Sequence, residues 1–235
     1  GPVIPDPIQT PDVLIVGAGI AGLAAAGDLQ AAGRTVWLVD QGLRAGGRMA
    51  SRRVGAAAFD HGAQFLTARH PRFAAAVAQW QRVGVVAEWH RGTGGAHIRW
   101  RGNPDMTAVA KYLARDLTVR LQHRIVALRP DAVGWLAEAH SGETFRSAAV
   151  LLTLPLPQSL AVLDAGKVEV SPEIRAQIAG VEYERCLAVM AALDAPSVLP
   201  PPGGLAPPEG PIAWMADNQK KGISPIPAVT HHATP

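Results

Sequence analysis

Glycines, one aspartate and one arginine carry the chemistry that can be read first. Gly17-Ala18-Gly19-Ile20-Ala21-Gly22 places glycines at the first, third and sixth positions of a single turn, and Asp40 follows 23 residues after Gly17. Gly17 permits a tight turn, Gly19 lets a backbone approach a pyrophosphate with no Cβ in the way, and Gly22 allows close packing of the next helix. The amides of the turn, with those of Ile20 and Ala21, then present a helix N-terminus to phosphate oxygens. Asp40, with Gln41 beside it, stands near the offset of about 20 residues at which a carboxylate accepts hydrogen bonds from ribose hydroxyls.

These residues need a strand, a helix and a second strand to hold them. Val13 to Val16 is a short aliphatic run without charge, the pattern of a buried parallel strand. Leu23 to Ala32 is rich in Ala and Leu and ends at Gly33, a plausible helix stop. Thr35 to Val39 is the second strand, with Asp40 at its C-terminal end. A glycine triplet alone could be a phosphate-free structural turn; strand, helix and acid together predict a dinucleotide-binding βαβ unit.

Gly17, Gly19, Gly22, Ala26, Gly33, Asp40 and the triplet Gly46-Gly47-Arg48 resemble the FAD-binding signature of the flavin amine-oxidase superfamily. The resemblance implies non-covalent FAD, with Gly46, Gly47 and Arg48 beside its diphosphate. An NAD(P)-linked dehydrogenase has no reason for the second glycine pair and arginine. The string Phe59-Asp60-His61-Gly62-Ala63-Gln64-Phe65 looks like the renalase branch of the superfamily, as do Asp217 to Gly222 and Val229-Thr230-His231-His232. That likeness implies a loop near the flavin formed by Gly62, Ala63, Gln64 and Phe65, with Gly62 allowing close backbone approach to the cofactor. It also implies adenine contact through the backbone of Ile125 or Val126, and a pocket place for His231. The implied reaction is oxidation of 2- and 6-dihydro isomers of NAD(P)H to NAD(P)⁺, with dioxygen reduced to hydrogen peroxide. Rival readings are another flavin oxidase acting on an amine or a desaturation substrate, and a non-catalytic dinucleotide-binding module. No Ser/His/Asp or paired-carboxylate arrangement stands out, and a flavin reaction asks little acid-base work of the protein.

Composition bounds the rest. With 235 residues, 48% of them hydrophobic, the chain can bury a real core. A net charge of +3, carried mostly by scattered arginines with few interleaved aromatics, suits an anionic dinucleotide rather than nucleic acid. Cys186 is the single cysteine, which excludes an intrachain disulfide, argues for a reducing, cytoplasmic setting and reads as a buried small hydrophobe. The most apolar stretch, Val13 to Gly27, is too short and glycine-broken to span a membrane, and no basic n-region marks a signal peptide. His231 and His232 are adjacent, so on a strand they point to opposite faces and cannot chelate one metal; no metal site is expected. Lys220 and Lys221 read as ordinary surface cations in a turn.

The expected fold class is α/β: a Rossmann-like FAD-binding domain with a parallel sheet and β-meander, interleaved with an α+β substrate domain. The FAD-binding domain takes residues 12–66 and 103–155, the substrate domain 67–102 and 156–235. A third parallel strand is expected over Val119 to Leu121, and a meander over Arg124 to Leu128, Val133 to Ala139 and Thr144 to Arg146. Pro155 and Pro157 break the strand Val150 to Leu154, and Ser171-Pro172-Glu173 opens a helix through Ala179. Val3 to Pro11 is proline-rich and expected to be extended. The resemblance finally implies a closing strand and helix with a Gly-Asp motif, which nothing after His232 supplies. The C-terminal part of the fold is therefore expected to be absent and flavin retention weak or absent.

Overall fold

The structure is a computed structural model; it describes residues 10–92, 95 and 97–235. The expectation for Val3 to Pro11 lies, except for Thr10 and Pro11, outside the described residues. The chain divides into two compact units: the segment ending at Gly47 with Leu113–Glu182, and Arg48–Tyr112 with Tyr183–Pro235.

In chain order the elements begin with β1 (Val13–Val16), α1 (Ile20–Ala31) and β2 (Val36–Val39). A hairpin of β3 (Ser51–Val54) and β4 (Ala57–Asp60) follows, then α2 (Pro71–Arg82), strands β5 (Val86–Arg91) and β6 (Ile98–Gly102), and α3 (Thr107–Ala114). Next come β7 (Thr118–Arg120), β8 (Ile125–Asp131), β9 (Gly134–Ala139), β10 (Thr144–Ser147) and β11 (Ala149–Leu152). Helices α4 (Leu156–Ala165) and α5 (Pro172–Ala179) precede β12 (Ala188–Ala192), β13 (Gly204–Leu205), β14 (Ile212–Asp217) and β15 (Ala228–Ala233).

The first unit carries a four-stranded sheet in the order β11-β1-β2-β7, parallel at every pairing, and an antiparallel meander in the order β10-β9-β8. The central strands β1 and β2 are apolar and largely buried, whereas the edge strands β11 and β7 are partly exposed. Leu14, Val16 and Val39 from the sheet meet Ile125, Leu128, Ala137 and Phe145 from the meander and Val162 from α4 in one buried cluster. Here the α/β class with parallel sheet and β-meander is as expected.

The helix α4 was not expected. Pro155 stands at its N-cap and Pro157 in its first turn, where a missing N–H costs nothing, so the two prolines start a helix after ending the strand. Val162 of that helix packs in the core of the first unit, and Gly166 at its C-cap has its α-carbon against the Leu128 carbonyl. Residues 156–182 thus belong with the parallel sheet, whereas the sequence reading drew a boundary at 155. At α5 the sequence is followed closely: Ser171 Oγ accepts the Ile174 N–H at 3.3 Å, with Pro172 and Glu173 in the first turn.

The second unit holds an antiparallel sheet in the order β12-β15-β14-β13 and two hairpins, β3–β4 and β5–β6. Phe59 and Ala57 of β4 pack on Ala228 of β15, with Met190 and Ile226 around them. On α2, Val77 and Trp80 are buried as their spacing requires. Cys186 corrects the sequence reading: it is exposed, because the segment before β12 runs without a strand partner. No helix among the described residues is long and apolar enough to cross a membrane, and no His/Cys/Asp/Glu group among them could hold a metal ion.

Candidate functional site

The carboxyl ends of β1 and β2 form the candidate site of the first unit. Gly17 leaves β1 with φ of +111°, a value that L side chains rarely adopt, and its N–H donates to the Val39 carbonyl at 2.8 Å. A Cβ at Gly22 would overlap the Gly17 carbonyl oxygen, so this glycine lets the first turn of α1 press on the glycine turn itself. Gly19 is different: a Cβ built there meets nothing within 4 Å. It is the N-cap of α1 and has no side chain to accept from the first amides of the helix, and the space where one would stand is open. Gly46 runs alongside Gly19 and donates its N–H to the Ala18 carbonyl at 2.8 Å, which brings the second glycine pair to the first. A Cβ on Gly47 would lie 3.5 Å from the Gly19 α-carbon.

Asp40 joins both turns. Its Oδ2 accepts the Ala18 N–H at 2.7 Å, and its Oδ1 accepts the Gly42 N–H at 2.7 Å. The carboxylate is half-buried and still lines a cavity of 260 Å³. Val16 and Val39 contribute to the lining, with Gln41 beside Asp40. One wall is the start of β8, His123 to Val126; the other is Leu154 with Gln158, Ala161 and Val162 of α4. The ladder between β8 and β9 slips between Ile125 and Ala127, so Val126 stands in a bulge beside the cavity. Both residues named for adenine contact therefore line it. A mixed apolar and polar lining with a carboxylate and a bulged backbone suits the nucleoside half of a dinucleotide.

Sequence reading missed several residues here. Thr153 follows β11, and its hydroxyl donates to the Val16 carbonyl at 3.0 Å and the Gly17 carbonyl at 3.1 Å, bracing the turn. His123 is fixed by the Leu121 carbonyl at 2.6 Å and Glu143 Oε2 at 2.7 Å. The available signal was the rule that ligands bind beyond the carboxyl ends of parallel strands, which points to Thr153 and Leu154 after β11. No local signal marks Gln158.

The remaining predicted residues lie in the second unit. Arg48 is exposed and makes no ion pair among the described residues. Its carbonyl accepts the Ala63 N–H at 2.9 Å, and a Cβ on Gly62 would overlap that same carbonyl. Gly62 thus has a reason within the protein: it makes room for the Arg48 main chain. Gln64 donates its side-chain amide to the Asp60 carbonyl at 2.6 Å and the Gly62 carbonyl at 3.1 Å. Phe65 packs edge-on to Trp214, ring centroids 5.7 Å apart. His231 pairs across the sheet with Val189 and Met215, and its neighbour His232 places Nε2 2.8 Å from the His61 carbonyl oxygen.

Beneath that loop is an ion pair that the sequence reading placed on the surface. Lys221 is buried and Asp60 is buried with it; Lys221 Nζ donates to Asp60 Oδ2 at 2.9 Å and to the Gln64 carbonyl. Asp60 Oδ1 accepts from Ser51 Oγ at 2.6 Å and the Met106 N–H at 3.0 Å. Burial pushes the Lys221 ammonium below the ordinary lysine value, while Asp60 pulls it back up. The His61 imidazole is likewise held below its ordinary value, by burial first and then by the Arg52 charge.

Sheet order, glycine turn and terminal acid define a Rossmann-like dinucleotide-binding fold. A family model described as an NAD(P)-binding Rossmann-like domain matches residues 15–80. The putative flavin-containing monoamine oxidase AofH of Mycobacterium tuberculosis (strain ATCC 25618 / H37Rv) is 35% identical over 100 residues, 43% of this chain and 21% of the relative. The aligned part thus spans about a fifth of that relative's length. Among solved structures, wild-type putrescine oxidase bound to putrescine superposes with a TM-score of 0.74 at 15% identity, covering 97% of this chain and 76% of that one. A putative protoporphyrinogen oxidase from Exiguobacterium sp. 255-15 gives 0.71 at 13% identity, covering 97% and 78%. The likeness is thus to a putative flavin-containing monoamine oxidase over 100 residues, and to two solved oxidases in fold alone.

Proposed function

We propose that this chain is an FAD-dependent oxidoreductase whose first unit holds the ADP half of the cofactor. The observation that carries the reading is the space at Gly19, the N-cap of α1: a Cβ there would meet nothing within 4 Å, Gly46 and Gly47 flank it, and Asp40, which accepts the neighbouring Ala18 N–H, lines a cavity. Main-chain amides of Gly17 to Gly22 would receive the diphosphate, Asp40 the ribose hydroxyls, and the backbone at Ile125 and Val126 the adenine. On the resemblance alone, Arg48, which is exposed and makes no ion pair among the described residues, would add charge to the diphosphate, and the loop from Gly62 to Phe65 would border the flavin. FAD, when bound, would supply two-electron redox chemistry, with dioxygen as the final acceptor.

For the substrate, the renalase-like residues favour a 2- or 6-dihydropyridine dinucleotide, which with dioxygen and a proton gives NAD(P)⁺ and hydrogen peroxide. The protein would then mainly stack and orient the ring, and His231 is the candidate pocket member. A second reading, oxidation of an amine, draws on the named activity of the Mycobacterium relative. Anaerobic mixing of the FAD-loaded chain with each substrate class separates them. Bleaching of the flavin absorbance by the dihydropyridine alone is expected; bleaching by amines alone would favour the second reading.

A further inference from the structure

The second unit contains a contiguous aromatic cluster built from three separate segments. Phe65 lies 5.7 Å from Trp214 and 6.3 Å from Trp89, and Trp89 lies 6.2 Å from Trp214. Both indoles press on Gly204, where a Cβ would stand 2.8 Å from Trp89 Cη2 and 3.0 Å from Trp214 Cζ2. Into this cluster β6 delivers Arg99, its guanidinium carbon 4.3 Å from the Phe65 ring centre and 5.3 Å from that of Trp214.

Stacking engages the faces of a guanidinium and leaves its N–H groups, which lie in the plane, for other partners. Among the described residues Arg99 makes no ion pair and no hydrogen bond, although it is half-buried. It is not the only unmet group. Trp214 Nε1 is buried without a partner among the described residues, as is Nε2 of His90, which stands directly across the ladder from Arg99 and touches the Trp89 ring. Buried polar groups in native proteins are nearly always satisfied, so an unmet indole N–H beside an unpaired arginine points to a ligand rather than to packing.

The charge of the cluster selects that ligand. Two cations lie over its rings, Arg99 and Lys221, whose nitrogen is 4.8 Å from the Trp89 ring centre, and the Asp60 carboxylate is already taken by Lys221. A protonated amine would meet two cations here, and the buried carboxylate beside them, Asp60, is already paired. We infer that Arg99, Trp214, Phe65 and Trp89 form a binding site for a flat aromatic acid: its ring against the indoles, its oxyanion on the edge of the Arg99 guanidinium and the Trp214 N–H. The site draws only on groups of the second unit, so its occupancy can be measured without flavin.

The test follows the indole N–H resonance of Trp214 in the 235-residue chain, assigned with Trp214→Phe, during titration with benzoate and separately with benzylamine. Benzoate is expected to shift it saturably and benzylamine to leave it in place. Arg99→Met is expected to weaken benzoate roughly tenfold or more, the scale of a lost charge-assisted hydrogen bond, with Arg99→Lys between the two. A shift with benzylamine equal to that with benzoate would overturn the assignment, as would a resonance indifferent to benzoate or a folded Arg99→Met chain that binds it as tightly as the parent. The benzoate and benzylamine comparison stands on the unsubstituted chain, so it holds even if a variant fails to fold.

Discussion

The ammonium nitrogen of Lys221 lies 2.9 Å from Asp60 Oδ2, and neither side chain is exposed to solvent. Asp60 also receives Ser51 and Met106, and Lys221 reaches the Gln64 carbonyl, so four stretches of the second unit meet at one charge pair. Taking two charges out of water is expensive, and the pair is tolerable only while each partner has its hydrogen bonds.

Removing one partner should therefore cost far more than replacing both. Lys221→Met leaves a buried carboxylate and is expected to destabilise by about 3–5 kcal/mol. The Asp60→Asn, Lys221→Met double variant should recover part of that loss. Urea unfolding of the three proteins checks this; a single-variant cost below about 1 kcal/mol, as for a surface pair, would contradict the buried network.

Acid should act through His61. Its folded-state pKa lies below the ordinary histidine value, so as pH falls the unfolded chain takes up the proton first. The stability this histidine contributes is present above about pH 6.5 and is lost as pH drops toward its folded-state pKa. His61→Gln should flatten that part of the stability profile, seen as a smaller difference in denaturation midpoint between pH 7 and pH 5. An unchanged profile would remove His61 as the cause.

Two glycines of one turn should behave in opposite ways. A Cβ at Gly22 would overlap the Gly17 carbonyl, so Gly22→Ala is expected to destabilise by about 1–3 kcal/mol through overpacking. At Gly19 the added methyl meets only open space, so Gly19→Ala should change stability by no more than about 0.5 kcal/mol and instead weaken ADP binding. Thermal melts with and without ADP separate the two effects.

The contrast between these glycines also shows what was legible in the sequence. Gly17 to Asp40 could be read because the fold there is local: strand, turn, helix and acid follow one another, and the parallel order of β1 and β2 comes from that run. Lys221 could not, because a lysine in a turn looks the same whether it faces water or a carboxylate 161 residues away. Pro155 and Pro157 were read as ending a strand when they also begin α4, since proline is silent about which of the two it does. The cluster of Phe65, Trp89 and Trp214 depends on three segments meeting, and no spacing along the chain encodes that.

Calorimetric titration of the chain with ADP, FAD and FMN tests directly whether an adenine dinucleotide binds at the tip of the first strand. Expected are a single shared site for ADP and FAD, no competition from FMN, and at least about a tenfold loss of affinity for both in Asp40→Ala. Binding of FMN in place of ADP, or an Asp40→Ala chain that binds ADP as tightly as the parent, would contradict that placement.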